Sequence, residues 1–193
     1  MMRSRQVPLA FFFVCATFVA TAAAAQDSGQ VGLTMGYPAA VGVIYHVTDH
    51  LAVRPEFTAS RASTDSSSPL VRNGTTWSLG VGVSGLFYVS KWDNLRAYVS
   101  PRFTYSHDKN SIESEVLIPI GQPAGQTIVV ESTGKAYSLS GSFGVQYSLS
   151  HKFGIFGETG LAYTHTILDD AVGTTIKSDG WGSRTGAGVI FYF

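Results

Sequence analysis

From about residue 30 onward, apolar side chains return at every second position. The runs are 30–37, 39–47, 51–60, 75–89, 95–106, 136–149, 153–166 and 180–193. A spacing of two puts one row of side chains on each face of a strand, so these runs predict eight strands. No convincing helical period competes with them. The breaks between runs are of two kinds. VTDHL, VSKWDNL and SLSHKF are short and turn-like. SRASTDSSSPLVRNGTT, the stretch from SHDKN to ESTGK, and HTILDDAVGTTIKSDG are long and polar. Short and long connections therefore alternate along the chain.

The two faces differ sharply. One carries Val41, Val43 and Tyr45, then Val53, Pro55 and Phe57, then Trp77, Leu79, Val81, Val83 and Phe87. It continues with Val99, Pro101, Phe103 and Tyr105, with Tyr137, Leu139, Phe143, Val145 and Tyr147, and with Phe153, Ile155, Leu161 and Tyr163. It finishes on Trp181, Val189, Phe191 and Phe193. The other face carries Arg54, Glu56, Arg96, Arg102, Glu158 and Arg184 among serines, glycines and Gln146. Every charge inside the predicted strands is on this second face; Lys109 and Lys135 belong to a loop and its edge.

A soluble sheet would bury the apolar face, whereas a membrane barrel turns it outward to lipid. Three features favour the barrel. Aromatics on the apolar face gather at both strand ends. Tyr37, Phe57, Trp77, Phe103, Tyr105, Tyr137, Tyr163 and Trp181 lie beside the long breaks, and Tyr45, Phe87, Tyr147, Phe153, Phe191 and Phe193 beside the short ones. A soluble core has no reason to sort its aromatics by height. Several runs also reach about 10 residues, enough to cross a bilayer at a tilt. Finally, an open edge is intolerable in lipid, so the sheet must close. The predicted fold is all-β: a single antiparallel up-and-down transmembrane β-barrel of eight strands. The segment SIESEVLIPIGQPAGQTIVVESTGK has two further β-prone runs. They extend strands five and six as a hairpin above the membrane, or they add two strands and make ten.

Composition agrees with a thin polar coat: charged residues are 13% and glycines number 21. The formal net charge of zero gives no reason to expect nucleic acid as a partner. Residues 1–25 have a secretory pattern: Arg3 and Arg5, the apolar stretch VPLAFFFVCATFVA, and Ala23 and Ala25 ahead of a cleavage point before Gln26. That leaves 26–193 as one barrel domain with a net charge of −2 (11 basic, 13 acidic) and no cysteine, since Cys15 is lost.

The closing stretch GAGVIFYF, with Val189, Phe191 and Phe193 on one face, resembles the last strand of bacterial outer-membrane proteins. VGVIYHVTDHLAVRPEF resembles the hairpin of small barrels of the OmpA/OmpX kind. The resemblance implies a bacterial outer-membrane location, outer-membrane lipid around the wall, and recognition of Val189, Phe191 and Phe193 by the barrel-assembly machinery.

An eight-stranded barrel is just wide enough for side chains to fill it. Arg54, Arg96, Arg102 and Arg184 are therefore expected to meet Glu56 and Glu158 across the lumen and plug it, beside Tyr88, Tyr98, Phe156 and Tyr192. Among the histidines, His46 is inward near the short-turn rim, and the turn histidines read as solvated. None has metal-ligand spacing, so no metal or cofactor is expected. His165, with Asp169 and Asp170 nearby, has no evident serine nucleophile beside it, and no catalytic residue is assigned. The leading function is a non-enzymatic outer-membrane barrel serving envelope structure and surface contact through loops 61–74, 107–135 and 167–179. The alternatives are a narrow, weakly anion-preferring diffusion channel and a soluble periplasmic ligand-binding barrel that wets its Arg/Glu face.

Overall fold

Alternation becomes a closed wall in the computed structural model, which describes residues 28–37, 40–65, 71–115, 127–170 and 173–193. The strands are β1 (Val31–Tyr37), β2 (Ala40–Thr48), β3 (Leu51–Asp65), β4 (Val71–Trp92), β5 (Leu95–Glu115), β6 (Thr127–Ser148), β7 (Phe153–Asp169) and β8 (Thr175–Tyr192). Each pairs antiparallel with its sequence neighbours, and β8 pairs with β1 to close the ring. This is the up-and-down architecture that the resemblance to small barrels implies. The predicted signal segment lies outside the described residues.

The register fixes the tilt. Following pairs from Met35 gives Val41, Phe57, Val81, Tyr105, Tyr137, His165 and then Asp179 on β8. Met35 itself pairs with Val189. One circuit therefore climbs ten residues (189 − 179). A stagger of this kind inclines the strands by roughly 35–45°. Tight turns at 49–50 and 93–94 mark one end of the barrel. In the second, Asp93 has φ 28°, a left-handed conformation that Asp tolerates better than most residues.

Odd-numbered positions face outward and even-numbered ones inward, because side chains alternate and the antiparallel pairs join like parity. Ile44, Arg54, Ser84, Leu86, Tyr98, Gln146 and Ile190 are buried inside. Val81, Val83, Phe103, Leu139, Phe143, Leu161 and Phe191 are exposed outside. The parity slips at a bulge between Tyr88 and Ser90, below which Lys91 pairs with Arg96 and Trp92 with Leu95.

Three expectations change. The ten-strand version is excluded: 107–115 and 127–135 continue β5 and β6, in register from His107↔Lys135 to Glu115↔Thr127. Most of the stretches expected as loops, 61–74, 107–135 and 167–179, are likewise strand. The strands outrun the alternation because both faces are polar there, and cross-strand hydrogen bonding does not depend on the pattern. Third, Tyr37, Phe57 and Phe103 lie deeper than the outer aromatics. Phe57 pairs with Val81, four residues inward of Trp77, and Phe103 is one outward position below Tyr105.

Candidate functional site

Luminal positions on β3, β5, β7 and β8 converge on one ion-pair chain. Arg54 lies at its centre, with 1% of its side chain exposed. Its Nε is 3.0 Å from Glu56 Oε1, two residues along β3 on the same face. Its Nη2 donates to both carboxylate oxygens of Glu158, at 3.2 and 3.1 Å. Arg102 Nη2 is 2.7 Å from the other oxygen of Glu56. Arg184 Nη1 is 2.7 Å from Glu158 Oε1 and also donates to Ser142 Oγ at 3.2 Å. The order is Arg102–Glu56–Arg54–Glu158–Arg184, so charge alternates and both ends are positive. Alternation is what burial demands, since an isolated charge in this interior would cost several kcal/mol. Arg54 also lies 4.8 Å from the centre of the Phe156 ring, and Tyr98 donates its hydroxyl to Glu158 Oε2 at 3.3 Å.

Five of the six expected luminal charges thus meet in one chain. Arg96 stands apart from it, toward the short-turn end, with its guanidinium 5.5 Å from the Tyr88 ring. There the barrel is filled by Ile44, Ala52, Leu86, Tyr88, Tyr98, Ile190 and Tyr192, with Phe156 packed against them. Tyr88, Gln146, Tyr192 and His46 are linked in series in this layer. Tyr88 donates to Gln146 Oε1 at 3.0 Å, and Gln146 Nε2 donates to Tyr192 Oη at 2.9 Å. His46 Nε2 is 3.3 Å from the same hydroxyl, and its ring stacks on Tyr88 at 5.6 Å. His46, the inward position near the short-turn rim, is completely buried. Gly144 makes room for this layer: a Cβ there would fall onto the Tyr98 ring.

The other half of the lumen is different. Above the ion-pair chain is a cup of about 230 Å³ whose walls include Thr58, Gly80, Gly82, Thr104, Ser138 and Ser140. Its floor is Glu56, Arg102 and Arg184. Among the described residues the aromatic that borders it is Tyr105, an outward position.

Outside, the aromatics form two rows. On β4 they are Trp77 and Phe87, on β6 Tyr137 and Tyr147, on β7 Tyr163 and Phe153, and on β8 Trp181 and Phe191. In each pair the difference is ten residues. Ten residues at about 3.3 Å each, inclined by about 40°, span roughly 25 Å. Neighbouring rings touch within a row, with Tyr163 and Trp181 centred 5.3 Å apart and Phe153 and Phe191 5.0 Å apart. Val189, Phe191 and Phe193 make up the outward row at the end of β8, beside Met35 and Leu33 of β1. Outward charges begin only at the far row. Arg61 stacks on Trp77 at 4.8 Å, and Lys109 pairs with Glu131 at 3.0 Å.

On this outer rim His165 meets Asp179, not Asp169 or Asp170. Its Nδ1 and the Tyr163 hydroxyl each lie 2.7 Å from Asp179 Oδ1. Those two hydrogen bonds, Tyr163's foremost, hold the Asp179 carboxyl below its usual range. Asp169 instead accepts from the Thr175 hydroxyl at 2.8 Å. Among the described residues, no three His, Cys, Asp or Glu side chains converge as a metal site.

No protein-family model matches the sequence, and no curated relative does. Solved structures with a similar course exist. Ail, the attachment invasion locus protein of Yersinia pestis, is 16% identical over 85% of this chain and 94% of its own, with a TM-score of 0.46. CarO2 of Acinetobacter baumannii is 13% identical over 85% and 97%, with a TM-score of 0.43. CarO of the same organism is 8% identical over 88% and 100%, with a TM-score of 0.41. At these identities, function has to be read from the chain's own surfaces.

Proposed function

We propose that this chain is a non-enzymatic bacterial outer-membrane β-barrel protein. One observation carries the reading: two outward aromatic rows, ten residues apart on four strands, bound a band without outward charge, while the charges lie inside. A soluble barrel inverts this arrangement, because lipid replaces water around the wall only when the wall is apolar. The roughly 25 Å band matches the apolar belt of outer-membrane barrels. The barrel-assembly machinery engages the row Val189, Phe191 and Phe193. The lumen is plugged by the ion-pair chain and the aromatic layer beneath it. Surface contact is the work of the tall β3–β4, β5–β6 and β7–β8 extensions, which present polar strands beyond the membrane.

The test is fractionation of the expressed protein followed by gel mobility with and without boiling. Recovery in the outer membrane with a heat-dependent shift is expected. A soluble periplasmic product without a shift would invert the assignment of the two faces and leave the ligand-binding alternative.

A narrow diffusion channel has one supporting feature, the open cup with arginines on its floor. Any conduction would have weak anion preference. The layer of Ile44, Leu86, Tyr88, Tyr98, Ile190 and Tyr192 opposes it, and planar-bilayer recordings at background conductance are the expected result.

A further inference from the structure

The wall of the barrel is not of even height. β1 and β2 are joined through residues 38–39, and their pairing with the neighbours stops early. The last pair on the β8 side is Tyr37↔Ala187, and the last on the β3 side is Ala40↔Thr58. β8 continues outward from 186 to 175, and β3 from 59 to 65. Among the described residues, no strand pairs with those two edges. Two strands are therefore missing between β3 and β8 in the outer half, which leaves a gap of roughly 14 Å at about 4.8 Å per strand spacing.

The gap begins inside the apolar band. On β8, six residues separate Ala187 from Trp181 of the outer row (187 − 181). On β3, three separate Thr58 from Arg61, which stacks on Trp77 of that row (61 − 58). At this tilt the notch reaches roughly 7–15 Å down into the band. Exposure follows the same line. Residues 59–65 and 175–183 are exposed at inward and outward positions alike, whereas 104–108 on β5, in the tall wall, are half-buried.

What lies behind the notch is positive. The chain of five holds three guanidiniums and two carboxylates, and both terminal arginines border the space at the top of the β1–β2 hairpin beside Tyr37 and Ala40. Arg102 is 9% exposed, and its Nε has no hydrogen-bond partner among the described residues. The next luminal carboxylate, Asp108, is six positions up β5. An excess of buried positive charge calls for an anion. The luminal side of the β8 edge has been cleared to admit one: Cβ atoms added at Gly180 and Gly182 would meet nothing within 4 Å.

We propose that the cup and notch together form a binding site for a single-chain anionic amphiphile of the outer leaflet. Its head pairs with Arg102 and Arg184, and its alkyl tail leaves sideways between β3 and β8 into lipid. The tail needs no water-filled route, because the notch already opens within the apolar band. Thr58, Thr104 and Ser140 supply hydroxyls around the head.

This site rests on the membrane reading above. The experiment uses the full protein, purified folded in an uncharged detergent, with dodecyl phosphate, inorganic phosphate and an uncharged dodecyl ether as probes. Arginine Nε–H resonances report binding. Dodecyl phosphate is expected to saturate at one per barrel and to bind at least tenfold more tightly than inorganic phosphate or the ether. Gly182→Phe, whose Cβ would meet nothing within 4 Å, sets a ring at the β8 edge of the notch and should reduce dodecyl phosphate to the level of inorganic phosphate. Arg184→Gln should weaken both anions. Equal affinity for the two phosphates, or for the ether, overturns the proposal, as does a Gly182→Phe variant that binds like the parent. A heat-dependent mobility shift is recorded for each variant. A shifting, folded barrel that fails to bind dodecyl phosphate refutes this site alone, whereas a parent protein that never shifts refutes the membrane reading.

Discussion

The half of the lumen toward the short turns and the half toward the long hairpins are built from the same eight strands, yet they are opposites. In the first, Tyr88, Tyr98, Gln146, His46 and Tyr192 interlock by stacking and hydrogen bonds, and the wall is complete all round. In the second, threonine, serine and glycine face a cup, and among the described residues the wall lacks two strands. The ion-pair chain is the boundary. Tight packing and open space are thereby separated along the barrel axis.

The separation can be attacked at its strongest point first. Arg54→Ala takes away the shared partner of Glu56 and Glu158, each of which keeps one terminal arginine, and loses charge-assisted hydrogen bonds worth about 1.5–3 kcal/mol each. Urea unfolding in lipid vesicles should register that loss. Gly144→Leu drives a side chain into the Tyr98 ring and is expected to cost about 1–3 kcal/mol in the same assay. Tyr192→Phe removes the acceptor of the Gln146 amide and the partner of His46, a loss of about 1 kcal/mol. Thr58→Val, in the cup, should stay within about 0.5 kcal/mol of the parent. A cup variant as damaging as Arg54→Ala would erase the distinction between the halves.

The smallest effect concerns pH at the outer rim. The Asp179 carboxyl is held below its ordinary value, so its contribution is present above the unfolded carboxylate pKa of about 4 and is lost as pH falls through the lowered folded value. Amide-exchange protection around 163–179 should fall over that window while the global unfolding midpoint barely moves. Asp179→Asn should abolish the dependence.

Sequence alternation was enough to place nearly every side chain on its correct face, because a strand between an apolar outer face and a polar lumen tolerates few exceptions. It also put Arg54, Glu56, Arg102, Glu158 and Arg184 on one face. It did not say that Arg54 would be central. Arg54 and Glu158 are 104 residues apart, and which luminal residues share a height depends on a stagger accumulated around the whole ring. The filled layer did leave a trace. In VIY, LFYV and VIFYF the apolar run is continuous, so both faces are apolar where the lumen is packed. Strand ends were underestimated at 61–65 and 107–115, where water wets both faces and the alternation fades. The short β1–β2 hairpin was visible as a length, but its consequence, a notch between strands distant in sequence, required the register.

The ten-residue interval between aromatic rows has a mechanical side. A transmembrane helix adjusts to a thicker bilayer by leaning over. A closed ring has no such freedom, since strand number and stagger together set its inclination. Under the proposed membrane placement the apolar belt is a rigid collar of about 25 Å, and lipid must thin to meet it. On the β1–β2 side the collar dips further. In that placement acyl chains would border a hollow instead of a wall there, which makes that one side of the barrel the place where packing of the surrounding leaflet is most easily disturbed.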